Sequence, residues 1–227
     1  MAKILMTAIV ADIRNKLNGT VFSKNKAGAY MRTKVTPVNP RTASQQANRQ
    51  DLASLSASWR ALSSADQESW IAAAKSFPYF DIFGNSKELA GNALYISLNK
   101  NLLVAGQPII ASAPAPGEIP VFAIASASAV SGTGVVTVTV DPAVIPAGFT
   151  MMVAATPNVS AGIRFVKNLY RTLGAFTVTA GVATLTAAYA AKFGSLAAGQ
   201  TIGFRVWLVN ETTGQASVAT SILITVA

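Results

Sequence analysis

The residues best equipped to do chemistry in this chain are cations: Lys24, Lys26, Arg32, Lys34, Arg41 and Arg49 crowd into one short stretch. Residues 1–50 carry nine basic side chains against one acid, Asp12, a net charge of +8, and the whole chain is only +9. The remaining residues hold nine basic and eight acidic groups and are close to neutral. Ammonium and guanidinium groups at this density bind nucleic acid, anionic lipid, or the acidic wall of a protein assembly. The plainer alternative is a solvated basic face with no dedicated partner.

Other chemistry is excluded by residue type. The chain has no Cys and no His, so thiol nucleophiles, disulfides, zinc-finger ligands and His-based triads are all missing. Asp66 and Glu68 could be offered as paired carboxylates, but they sit where a helix should begin, and the macrodipole accounts for them. Ser131–Gly134 (SGTG) lacks the following Gly-Lys-Ser/Thr of a phosphate cradle and reads as a turn. No stretch has the Asp, Asn or Glu spacing of a calcium loop. The sequence therefore reads as non-enzymatic, with no cofactor and no metal.

The cations must be positioned by the elements around them. Ile4–Arg14 and Gly19–Lys34 read as extended segments, the second folding into a hairpin at Asn25–Gly28. Pro37 and Pro40 then keep Val35–Arg41 extended, as a strap. Thr42 and Gln45 form a capping box that starts a helix, along which Leu52, Leu55, Trp59 and Leu62 share a face. Ser64 and Gln67 suggest a second box, opening a helix with Trp70, Ile71 and Ala74 on one side, so that the two tryptophans meet in a helical hairpin. A third helix is expected over Lys87–Val104, with Leu94, Leu98 and Leu102 in a row and Gly106 closing it.

Four prolines between Gln107 and Pro120 mark a boundary. The reading is thus an α+β N-terminal domain over residues 1–107 (hairpin, helical hairpin and third helix), a Pro-rich linker over 108–120, and an all-β domain over 121–227. In that last region the runs VFAIASASAV, GVVTVTV, FTMMVAA, IRFVKNLY, AFTVTA, VATLTAA, TIGFRVWLV and SVATSILITVA alternate with turn signals. Seven or eight short strands in this length suit an immunoglobulin-like or fibronectin-like sandwich, with a barrel or jelly roll as the competing architecture. No run of 18 apolar residues is present, and Ile4–Ala11 is too short for a signal segment, so no membrane contact is expected.

Residues 19–49, GTVFSKNKAGAYMRTKVTPVNPRTASQQANR, followed by the Trp59 and Trp70 helices, resemble an uncharacterised group of tailed-bacteriophage virion proteins. The likeness rests on Gly-Thr-Val-Phe-Ser, a basic turn, Gly28, Arg32, Pro37, Asn39-Pro40, Thr42, Gln45 and Arg49, and runs over about 80 residues. It implies a structural component of a phage particle, localised to the virion and assembled in the host cytoplasm, with no catalysis. Its partners would be capsid, portal or tail subunits and copies of itself, with weak nucleic-acid contact through the basic arm. Two other classes remain in view: an adhesin or fibre-like module using Tyr170, Tyr189 and Phe193 near loop ends, and a DNA-binding architectural protein. Ser58–Ala74 is similar to part of an HMG box, but the Pro-rich arm and Lys-rich decoration of such a box are missing.

Overall fold

Asn18-Gly19 turns the chain between two short strands, with Asn18 at φ 52° where a left-handed residue is needed. The computed structural model describes residues 2–3, 13, 15–26, 28–77, 79 and 85–227. The extended segment expected over Ile4–Arg14 lies outside these residues except at Ile13. The described chain divides into two compact units, residues 1–46 and 47–227.

The first unit is an antiparallel sheet in the order β1-β4-β3-β2, built from β1 (Ala2–Lys3), β2 (Asn15–Leu17), β3 (Thr20–Asn25) and β4 (Gly28–Thr33). The expected hairpin is β3–β4, closed where Asn25 pairs with Gly28, whose φ of 112° suits glycine. The capping box forms as expected: Thr42 N–H donates to Gln45 Oε1 at 3.3 Å and Gln45 N–H to Thr42 Oγ1 at 3.4 Å. It opens α1 (Ala43–Ala61).

In the second unit α2 (Ser64–Ala74) and α3 (Gly91–Val104) pack together with the end of α1. The cap of α2 is one residue earlier than the sequence suggests: Ser63 Oγ accepts from Asp66 N–H at 3.1 Å. Gln67 instead donates to the carbonyls of Trp59 and Leu62, satisfying the frayed end of α1. Trp59 and Trp70 do not stack on each other across the hairpin; both pack on Tyr95 of α3, at ring-centroid distances of 5.4 and 5.2 Å. Leu94, Leu98 and Leu102 are buried as their spacing requires, and Gly106, at φ 77°, follows the helix end.

The 108–120 segment is extended and closely held. Asn99, fully buried, accepts from Ile110 N–H at 2.7 Å and donates to the Ile110 carbonyl at 3.3 Å. Trp70 Nε1 donates to the Ala111 carbonyl at 2.6 Å, and Gly117 N–H to Gln215 Oε1 at 2.8 Å. Helices and strands on either side of the prolines accordingly share one compact unit.

Beyond the prolines come β5 (Ala123–Ala129), β6 (Val136–Asp141), β7 (Phe149–Ala155), β8 (Arg171–Phe176), β9 (Val182–Thr184), α4 (Thr186–Phe193), β10 (Thr201–Asn210) and β11 (Thr220–Thr225). They form a three-stranded sheet, β5-β6-β9, and a four-stranded sheet, β11-β10-β7-β8, with all pairs antiparallel. Val136, Val138 and Val140 of the first sheet and Met151, Val153, Phe204 and Val206 of the second enter one core. The other face of the second sheet is partly covered by α3, where Ala105 meets Met152, Val209 and Trp207. Gly214 permits this approach, since any Cβ there would collide with the Leu98 carbonyl, and Asn101 Nδ2 bonds the Gly214 carbonyl at 2.8 Å.

Three expected strands are corrected, the first being AFTVTA, which is strand only at Ala175 and Phe176, where β8 ends. IRFVKNLY is a loop, folded back by Leu169 N–H donating to the Val166 carbonyl and by Arg171 donating to the carbonyls of Asn168 and Tyr170. VATLTAA is strand only through Thr184, after which its alanines enter α4.

Candidate docking surface

Strand register decides which cations share a face. Lys16 pairs with Val21 and Val21 with Arg32, so these three side chains form one row across three strands, beside the Ser23–Tyr30 pair. The opposite face carries the rows Leu17–Thr20–Thr33 and Asn15–Phe22–Met31, and then Lys24–Ala29. Period-two alternation therefore separates Arg32 from Lys24, which the linear sequence had grouped. Lys26 sits at the hairpin tip, and Lys34 lies just past β4, where its N–H donates to the Gly19 carbonyl at 2.8 Å. Arg41 stands at φ 47° in the strap, with its N–H on Asn39 Oδ1, and Arg49 lies on α1 in the second unit. All six are exposed. Lys16 was not among the expected docking residues; its place in one row with Arg32, across Val21, depends on a register set by the Asn18-Gly19 turn.

The sheet that carries these cations has no interior of its own. Among the described residues of the first unit none is buried. Leu17 is 71% exposed, Val35 73% and Val38 90%, and Phe22 is half-buried. A small sheet of short strands with both faces open is marginally stable in water. Its apolar rows and its charge both leave a surface for something else to cover.

Elsewhere the aromatic residues suggested by an adhesin reading separate. Tyr189 is buried, donates to the Thr156 carbonyl at 3.1 Å, and its phenol is pushed up to about 12 by burial. Phe193 packs against the same core. Tyr170 alone lines a surface hollow, together with Arg164, Lys167 and Arg205, which sequence reasoning did not single out. Asp66 lies in the first turn of α2, where its N–H donates to Ser63 Oγ and its carboxylate accepts from the Ser63 hydroxyl at 2.7 Å, in keeping with a helix-start role. Among the described residues no group of three or more His, Cys, Asp or Glu side chains is placed to hold a metal ion, and no helix is long and apolar enough to cross a membrane.

The chain matches no protein-family model, no curated protein and no solved structure.

Proposed function

We propose that this chain is a non-enzymatic structural protein of a tailed bacteriophage virion, attached to the head or neck through its basic N-terminal unit. The observation that carries the reading is a four-stranded sheet without a single buried residue among those described, in a stretch of net charge +8. Such a sheet gains its missing burial from a partner. Like charge disfavours a second copy against it, so the complementary occupant is an acidic protein surface of the particle. The exposed strap Val35–Arg41, extended by Pro37 and Pro40, suits lying along a neighbouring subunit.

The β-rich part of the second unit is proposed as an immunoglobulin-like or fibronectin-like module. Labelled A, B, C, C′, E, F and G in chain order, its seven strands pair as A-B-E and G-F-C-C′, the division used by such sandwiches. Fold analogy of this kind supports an architecture and leaves the partner to experiment.

The test is incorporation. Particles assembled with a chain lacking residues 1–41 should contain none of it, while the truncated protein retains the cooperative melt of its second unit. Normal incorporation would overturn the docking reading. DNA binding by the full chain that weakens steeply with salt and is lost on the same truncation would favour the nucleic-acid alternative.

A further inference from the structure

The open half of the four-stranded sheet carries a second cationic feature, independent of the docking unit. Between Asp141 and Glu211 the sequence has five basic residues and no acid. The structure divides those five by what they touch. Arg171 and Lys192 are engaged with backbone carbonyls, of Asn168 and Tyr170 and of Thr172 respectively. Arg164, Lys167 and Arg205 converge instead on a hollow of about 530 Å³, also lined by Phe165, Tyr170 and Ser221. No carboxylate lines it, and none of the three cations forms an ion pair or hydrogen bond among the described residues.

One wall of the hollow is sheet and the other is the loop before β8. Arg205 on β10 pairs in register with Ser221 on β11, and Gly203 with Leu223. Tyr170 closes one side, its hydroxyl bonded to Ser221. A Cβ at Gly203 would come within 2.9 Å of that hydroxyl, so glycine there makes room for the tyrosine. Phe165 is 73% exposed at the rim. A smaller hollow that shares Arg164 and Leu223 continues toward the hydroxyls of Thr201 and Thr225.

We propose that this hollow binds an acidic saccharide, with Arg164, Lys167 and Arg205 holding its oxyanion and Phe165 and Tyr170 lying against the sugar ring. Guanidinium groups match the geometry of carboxylate and phosphate oxygens; Arg205 stands on β10, while Arg164 and Lys167 reach the hollow from the loop before β8, and none of the three has a carboxylate partner to give up. The hydroxyls along β11 suit the remaining sugar hydroxyls. The volume falls within the roughly 300–1,000 Å³ of small-molecule sites. A single-stranded nucleic acid fits less well, because it needs successive aromatic platforms along a charged track, and this hollow offers one compact cluster.

The test uses the full chain in calorimetric titrations with polygalacturonate, with a sugar-phosphate polymer, with neutral dextran and with an oligothymidylate. Saturable binding to one acidic polymer, and none to dextran, is expected; which polymer binds tells a carboxylate from a phosphate. Arg205→Ala and Arg164→Ala should each weaken it by about tenfold or more, the scale of a lost charged hydrogen bond. Phe165→Ala, on an exposed loop and harmless to the fold, should weaken it too. The same titration with Lys24→Ala/Arg32→Ala should be unchanged. Equal loss in that double variant, equal affinity for the oligothymidylate, or no binding to either acidic polymer overturns the proposal.

Discussion

The two units of this molecule hold their cations in opposite ways. In the second, charged groups ring a dense interior: Val136, Met151, Ile202, Phe204 and Leu208 are fully buried. In the first, nothing described is buried, and the apolar residues Leu17, Met31 and Val38 stand in the open beside Lys16, Lys24 and Arg32. Hydrophobic burial is the main favourable term in folding, so the second unit can sustain itself and the first depends on local turns and ladder bonds. Order in the first unit is set by its turns and ladder bonds, with no buried residue among those described to add to them.

Truncating one phenylalanine in each unit should expose that difference most sharply. Phe204→Ala removes a fully buried ring and should destabilise the second unit by about 3–5 kcal/mol, enough to shift or abolish its melt in urea or heat. Phe22→Ala removes a half-buried ring from an open face and should change the free chain by less than about 1 kcal/mol. On the docking role proposed above, its effect should appear instead in incorporation into particles. A Phe22→Ala loss as large as that of Phe204→Ala would mean that the first unit has a core of its own.

The parts legible in the sequence were those fixed by short-range chemistry. Thr42 with Gln45, the turn at Asn25–Gly28, the Leu94–Leu98–Leu102 row and the alternation of Val136–Val140 all appear where expected. The failures came where local turn bonds or a core contact overrode composition. Ile163–Tyr170 is rich in strand formers, yet Arg171 and the Leu169–Val166 bond fold it into a loop. The alanines after Thr184 follow helix propensity once Tyr189 has a core to enter. The cationic hollow was illegible for another reason: Arg205 and Ser221 meet through strand register, and Arg164, distant in the chain, joins them from a loop.

The proline-rich stretch lies inside the second unit. Composition suggests a tether over 108–120, while Asn99 binds both backbone groups of Ile110 from a fully buried position. Asn99→Leu would leave that half-buried N–H and carbonyl without their partner, and a loss of about 1–3 kcal/mol in urea titration is expected. Asn99→Asp, which keeps an acceptor for the Ile110 N–H, should recover part of it at acidic pH, where the carboxyl is neutral. A change below about 0.5 kcal/mol for the leucine variant would mean that the helices and the sheets behave as separate domains joined by a free linker.

Alkaline pH should act on the second unit through Tyr189. Burial raises its phenol from the ordinary 10 to about 12, so as pH climbs past 10 the unfolded chain ionises first. The contribution of Tyr189 is therefore complete below pH 10 and declines from there through 12. Tyr95 and Tyr170, both raised chiefly by burial, push in the same direction. Tyr189→Phe should lose about 1 kcal/mol at neutral pH, with its bond to Thr156, and show a shallower decline between pH 10 and 12 than the parent. Lysine deprotonation is common to both proteins and cancels in the difference. Identical slopes would remove Tyr189 as the source.

The smallest effects come from the two helix caps, which have similar chemistry in different units. Ser63 accepts from Asp66 N–H within the second unit, while Thr42 and Gln45 bond reciprocally within the first. Each hydroxyl removed costs about 1 kcal/mol of local helix stability. Because α2 packs through Trp70 and Ala74 into the helical core of the second unit, Ser63→Ala should lower that unit's melt by that amount. Thr42→Ala removes a bond from a segment with no buried residues, so the melt should stay within about 0.5 kcal/mol. The loss should appear instead as faster amide exchange at Gln45 and Gln46, whose N–H groups bond Thr42. If Thr42→Ala lowers the global melt as much as Ser63→Ala does, the first unit folds cooperatively with the second, and its stability does not wait for a partner.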